Sequence, residues 1–314
     1  MRNTFAKQLT QLAHDDDKVM LLSGDIGNRL FDEFKSSHFD RFINCGIAEQ
    51  NMTGFAAGLA MQGFKPFTYT IAPFCTTRCL EQIRTDIAYH QLPVTIVSVG
   101  AGLSYAGLGP SHQAMEDISF LRSIPNMNVF CPGDSRELET VLRITKELNA
   151  PCYVRMGKKG EPLVHQKPII NYEIGKPIKL FAGESVCLLS TGTILPEAVQ
   201  SIDLLQNSNI NASLYSFPTV KPLCNEALSD IFEKYEHIIT IEEHSLIGGF
   251  GSTIAEWKID SKYQSKGNLL RIGAPDDFFK QAGSQKFARE HMGLDKTNIH
   301  KQILAFVNGA SNEN

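Results

Sequence analysis

From one end of the chain to the other, short apolar runs of strand length alternate with longer segments whose apolar residues recur at helical spacing. This constrains the fold strongly, because repeated strand–helix units bury both patterns together around a mainly parallel sheet. The spacing predicts strands over 19–23, 65–71, 94–99, 127–131 and 153–156, with helices over 46–61, 73–89, 113–123 and 135–148. From 158 to 184 the pattern lapses into a Lys-, Gly- and Pro-rich stretch, which reads as a linker with room for a short hairpin. A second series follows, with strands over 186–190, 212–217, 238–242 and 269–272, helices over 195–205, 224–235 and 249–259, and C-terminal helices beyond. The expected fold class is therefore α/β, with two doubly wound domains over residues 1–165 and 180–314.

At 314 residues each domain has length enough for its own core. A net charge of -4 with scattered Lys and Arg offers no basic stripe for nucleic acid and no membrane surface. The N-terminal MRNTFAKQLTQLAHDDDK lacks the apolar core of a signal peptide, and no run approaches the roughly 20 apolar residues of a spanning helix, so a cytoplasmic protein is expected. Seven cysteines without a CxxC pair read as reduced, buried, small hydrophobes rather than a disulfide frame or zinc site.

Open α/β sheets take their ligands at the carboxyl ends of the strands. That makes SGDIGN after the first strand, GAGLSYAGLGPSH after the third, and STG at 190–192 candidate site loops. None is a phosphate-binding fingerprint, since neither GxGxxG opening a helix nor GxxxxGK[ST] occurs.

The stretch FINCGIAEQNMTGFAAGLAMQG, residues 42–63, places one carboxylate, Glu49, in the first turn of an otherwise apolar or small-residue helix. Such a helix is expected to be buried. Its glycines, each costing about 1 kcal/mol relative to Ala, are explained if another backbone or a cofactor packs close. Burial raises a carboxyl pKa and the helix dipole lowers it, a balance suited to proton sharing. The structural alternative is that Glu49 caps its helix or pairs with an Arg. His112 ends the Gly-rich loop where the predicted helix starts, a position suited to proton exchange with a substrate hydroxyl or to a backbone hydrogen bond. Phe74 can stack on a flat heterocycle or belong to the core. Arg155, inside a predicted strand, requires an anion: a phosphate, or a carboxylate such as Asp25 or Glu116.

GIAEQNM, followed by KPFTYTIAPF, GPSHQAMEDISFLRSIPNM and YVRMG, resembles the pyrimidine-binding half of transketolase and deoxyxylulose-phosphate synthase. LLSTGTILPEAV and IITIEEHSLIGGFGSTIAE resemble their shared C-terminal domain, which implies a mixed, mostly parallel second sheet. The resemblance implies thiamine diphosphate chemistry, with the cofactor as electron sink after C–C cleavage. It assigns Glu49 to the aminopyrimidine N1′, Phe74 to stacking on that ring, Ile71 to a second wall and Asp25 to the same cofactor site. His112, Arg155 and Arg29 fall to the substrate. In the family the diphosphate is held through Mg²⁺ on an N-terminal domain with a GDG motif, and Mg²⁺ needs near-octahedral oxygens that the motifs here do not supply. The implied protein is the small subunit of a split transketolase, with the metal and diphosphate on a separate N-terminal-type chain, sugars or sugar phosphates as substrates and a heterotetramer as the assembly.

Three departures bear on substrate. Transketolases commonly read GEDGPTHQ where this chain reads YAGLGPSHQ, so an acid becomes Leu108. A His expected before that loop is Gly100, and a Ser expected after the first strand falls at Arg29. The leading expectation is two-carbon ketol transfer from a ketose to an aldose. The alternatives are a deoxyxylulose-phosphate-synthase-like condensation of pyruvate, a 2-oxoacid dehydrogenase β subunit and a catalytically inactive partner.

Overall fold

A computed structural model of the chain describes residues 1–27, 29–262 and 267–309 and contains two sheets. The first sheet is built from β1 (Val19–Ser23), β2 (Phe42–Asn44), β3 (Lys65–Ile71), β4 (Thr95–Val99), β5 (Asn128–Phe130) and β6 (Cys152–Met156). The second begins with β7 (Ile178–Phe181), β8 (Val186–Thr191) and β9 (Ala212–Ser216). The chain then gives β10 (Thr219–Lys221) back to the first sheet before adding β11 (His237–Ser245) and β12 (Asn268–Ala274) to the second. The strand orders are β10-β5-β6-β4-β3-β1-β2 and β12-β11-β8-β9-β7. All pairings are parallel except β10 with β5 and β7 with β9.

Every residue of β1, β4, β6 and β8 is buried. That is the condition of a parallel strand covered on both faces, and it explains why these runs are mostly apolar. One core cluster joins Met52, Ala56, Ile83 and Ile118 of the first half to Phe217, Phe232 and Phe250 of the second, so the two sheets share apolar packing as well as β10. On the opposite face of the first sheet, the helices Arg2–Asp15 and Ser135–Glu147 pack through Phe5, Leu9, Leu138 and Val141.

Four local expectations change. The predicted helix over 73–89 is broken into the turn Ala72–Cys75, a 3₁₀ turn Thr77–Cys79, Leu80–Gln82 and a π-turn Ile83–Ala88. Thr76, at φ -110° and ψ -82°, interrupts it, with its hydroxyl donating to the Ala72 carbonyl at 2.7 Å in competition with the backbone ladder. The helix expected from Gln113 starts at Asp117, because Ala114 forms an antiparallel bridge with Gly102. The hairpin expected in the linker is instead the single strand β7, which pairs with β9. Finally, the helix Glu49–Met61 is not buried all round: Met52, Thr53, Ala56, Ala57 and Ala60 face inward, whereas Phe55 and Met61 are exposed.

Candidate active site

Glu49 opens its helix after Ala48, with no side-chain cap, and lies at the carboxyl edge of β1 and β3. Its carboxylate is only 3% exposed. Gly24, directly after β1, lies beside it: an added Cβ there would meet Glu49 Cγ at an ordinary 3.5 Å but crowd Thr70 Oγ1 at 3.1 Å. The carboxylate does pair with an arginine, accepting from Arg78 Nη1 at 2.7 Å. That guanidinium lies 4.3 Å from the centre of the Phe74 ring. Phe74 in turn meets His112 edge-on, with ring centroids 5.2 Å apart.

His112 sits in a 3₁₀ turn, Pro110–His112, rather than at the expected helix start. Ser111 Oγ is 3.0 Å from its Nδ1, and the Tyr105 ring is 6.2 Å away. The Lys158 ammonium caps Tyr105 at 4.6 Å from the ring centre. Tyr105 also explains the Gly100 departure. Gly100 has φ +91°, and a Cβ there would stand 2.2 Å from two Tyr105 ring carbons, so the tyrosine fills the space a side chain at 100 would take.

The structure thus brings Glu49, Phe74 and His112 together through Arg78. Ile71, half-buried at the end of β3, packs against the core on the Arg2–Asp15 side. Asp25 and Arg29 lie exposed on the loop after β1 with positive φ values of 56° and 60°, and Asp25 accepts from Asn44 at 2.9 Å. Asn28 of that loop lies outside the described residues. Arg155 does not reach the cluster. Its carboxylate partner is Asp117 rather than Asp25 or Glu116, with Nε donating at 2.8 Å, and its Nη2 donates to the carbonyls of Ala114 and Glu243 at 2.8 and 3.0 Å. Fully enclosed, it is a structural cation that ties the loop before Asp117 to β11. Leu108 is exposed at the site loop.

The residues of EEHS divide their work around this loop. Glu242 accepts from the backbone N–H groups of Phe250 and Gly251 at 2.6 and 2.8 Å, holding the start of the helix Phe250–Asp260. Burial pushes its carboxyl up to about 7 against those hydrogen bonds. Glu243 accepts from Leu103 N at 2.6 Å, Gln285 Nε2 at 2.9 Å and Arg289 Nε at 2.6 Å, so the C-terminal half grips the loop that carries Tyr105 and His112. His244, buried beside Asp117, is held down to about 4 by that burial, and is neutral at physiological pH.

Sequence reasoning missed Arg78, Tyr105, Lys158 and the role of Glu243. Arg78 lies four residues after Phe74 in PFCTTR, but the break at Thr76 keeps the two off one continuous helix, so that spacing is an incidental signal. The others are joined by loop conformation and carry none. Among the described residues, no group of three or more His, Cys, Asp or Glu side chains is placed to hold a metal ion, and no helix is long and apolar enough to cross a membrane.

Comparison with known proteins gives the family. Residues 1–161 match the family model of the transketolase pyrimidine binding domain, and 175–299 that of the transketolase C-terminal domain. A putative transketolase C-terminal section from Methanocaldococcus jannaschii is 34% identical over 97% of this chain and 95% of its own length. A subunit of an apulose-4-phosphate transketolase from Phocaeicola vulgatus is 33% identical over 98% of this chain and 97% of its own length. Among solved structures, a split gene transketolase described as an inactive beta4 tetramer superposes with a TM-score of 0.86 at 32% identity, covering 96% of each chain. The chain belongs to the transketolase family, as a split transketolase-like subunit that carries the pyrimidine-binding and C-terminal domains.

Proposed function

We propose that this subunit supplies the pyrimidine side of a thiamine diphosphate site and, with a separate N-terminal-type chain holding the diphosphate and Mg²⁺, transfers a two-carbon ketol unit from a ketose to an aldose. The family uses this cofactor with a divalent metal and its enzymes are transferases. The observation that carries the reading is the Glu49–Phe74 pair: a buried carboxylate and an aromatic face already accommodate a planar N–H donor between them, the guanidinium of Arg78. An aminopyrimidine has the same two requirements, a hydrogen-bond partner in its plane and an apolar or π surface against its face. When bound, the cofactor supplies a carbanion-stabilising electron sink.

The residues of this chain then take distinct roles. Glu49 shares a proton with the ring nitrogen, Phe74 fixes the plane of the ring, and Ile71 bounds it. His112, edge-on to Phe74, is placed to orient substrate oxygens, and Asp25 and Arg29 border the site on the loop after β1. Arg155 is withdrawn from substrate binding. The partner chain covers the apolar surface beside Glu49, where Ile47 is 81% exposed, Phe55 is 43% exposed, and Gly54 and Gly58 have little or nothing packed against them. A C₂ pairing of two such units gives a heterotetramer with equivalent sites. Of the seven cysteines, all free, five are buried and Cys45 and Cys224 are half-buried, which suits the reducing cytoplasm.

The test is Glu49→Gln in the reconstituted pair. Ketol transfer falls at least about a hundredfold, while circular dichroism and subunit association stay as in the wild type. Unchanged turnover overturns the assignment. Assays with ketose phosphates, free ketoses, hydroxypyruvate and pyruvate, with products identified by mass, separate ketol transfer from pyruvate condensation.

A further inference from the structure

We infer that Arg78 is an internal competitor for the pyrimidine pocket, holding the Glu49 carboxylate and the Phe74 face until the cofactor ring displaces it. The inference rests on the thiamine diphosphate reading above and concerns a residue that reading does not use. Its basis is that one side chain makes both contacts at once, at 2.7 Å to Glu49 Oε2 and 4.3 Å to the Phe74 ring centre. A guanidinium is planar, stacks on aromatic faces and donates in its own plane. Those are the properties by which an aminopyrimidine would be recognised here. The two cannot share one carboxylate oxygen and one ring face.

The surroundings allow exchange. Arg78 is 43% exposed while Glu49 is 3% exposed, so the cation has a route to water and the anion does not. Removing the arginine without replacement would strand a buried carboxylate, but a ring nitrogen that shares a proton with Glu49 as the guanidinium leaves keeps the carboxyl paired. Arg78 also stands on a 3₁₀ turn between the break at Thr76 and the π-turn Ile83–Ala88, so its backbone is not locked into a continuous helix. The consequence is thermodynamic: the observed dissociation constant of the cofactor is raised by the reciprocal of the fraction of molecules with Arg78 out. An ion pair with one partner this exposed is a modest latch, so the penalty is about threefold to tenfold rather than orders of magnitude.

Isothermal titration of thiamine diphosphate, in Mg²⁺, into the reconstituted pair reads this directly. Arg78→Ala tightens binding by about threefold to tenfold. Arg78→Lys, which keeps the charge and loses the flat stack, gives a smaller gain. Melting curves of both variants without cofactor establish that they are folded. Binding by the wild-type pair that Arg78→Ala weakens or leaves unchanged overturns the competitor role alone. Failure of wild type and both variants to bind overturns the cofactor reading and this inference with it.

Discussion

Glu243→Ala removes a side chain that no substrate would touch, yet the structure makes it costly. The carboxylate is fully enclosed and accepts from Leu103 N at 2.6 Å, Gln285 Nε2 at 2.9 Å and Arg289 Nε at 2.6 Å. Loss of the acceptor strands the buried Leu103 amide, at about 1–3 kcal/mol, and removes a charge-assisted bond to Arg289, at about 1.5–3 kcal/mol. Arg289 is not left alone, because its Nη2 still donates to the Thr193 carbonyl at 2.9 Å and Glu197 stands 3.5 Å away. The expected destabilisation is therefore about 3–5 kcal/mol, the range for one partner removed from a buried pair. Urea unfolding of the isolated chain gives the energy, and hydrogen exchange at the Leu103 amide gives its location. Because the freed loop carries Tyr105 and His112, kcat of the reconstituted pair falls about tenfold to a hundredfold. Glu243→Gln keeps one acceptor and lies between. A loss below about 1 kcal/mol with Leu103 protection unchanged would refute the idea that the C-terminal half positions this loop.

Asp117→Ala leaves Arg155 buried without its carboxylate and takes the partner of Tyr153 Oη at 2.5 Å, so a loss of about 3–5 kcal/mol is expected in chemical denaturation. Asp117→Asn, which keeps an acceptor, costs less, and equal losses for the two would remove the charge from the explanation. At the start of the linker region, His165 Nδ1 lies 3.2 Å from Asp134 and its Nε2 3.4 Å from Glu137. Burial pulls His165 down, but the Asp134 hydrogen bond and the two carboxylates carry it above 6.5, while burial pushes Glu137 from 4.5 up to about 7. Both groups hold more protons folded than unfolded, so the stability they carry is present at low pH and is lost as pH rises through about 7. For Glu137 that rise is about 3 kcal/mol, titrating jointly with His165. Melting temperature is expected to fall from about pH 5 to about pH 7 in the wild type and less steeply in Glu137→Gln, where Glu242 and the Asp134–His165 pair still titrate; parallel profiles would count against the linkage.

What can be read from the sequence is what depends on period. The buried parallel strands announce themselves because both faces must be apolar, and the predicted runs 19–23 and 65–71 coincide with β1 and β3. The helix Arg2–Asp15 is not among the expected elements, although Phe5, Leu9 and Leu12 on one face carry the signal for it. β10 is not legible: three residues long, it is defined by antiparallel pairing with β5, far away in sequence. The same division applies to the site. Glu49 and Phe74 stand at helix starts after strands, where topology alone makes a ligand site, whereas Arg155 misleads because a charged residue inside a strand shows the need for an anion without naming it. Asp117 is in plain view inside AMEDISF, but the predicted helix over 113–123 covers it and hides its role as that anion.

The two departures in the site loop are better understood as one local rearrangement than as separate losses. Gly100 at φ +91° and Tyr105 are sterically coupled, since any side chain at 100 would occupy the tyrosine ring. Tyr105 then brings the Lys158 ammonium to within 4.6 Å of its face and stands beside His112. Leu108, exposed on the same loop, contributes no charge. Compared with a loop bearing an acid and a histidine, this one loses a carboxylate and gains an aromatic wall with a cation on it, and the Glu243 grip holds it in that form. On the proposed reading, the Gly100–Tyr105–Lys158 arrangement is expected to set substrate choice as a unit, and restoring an acid at 108 alone would not rebuild the other loop, because the ring of Tyr105 would still fill position 100.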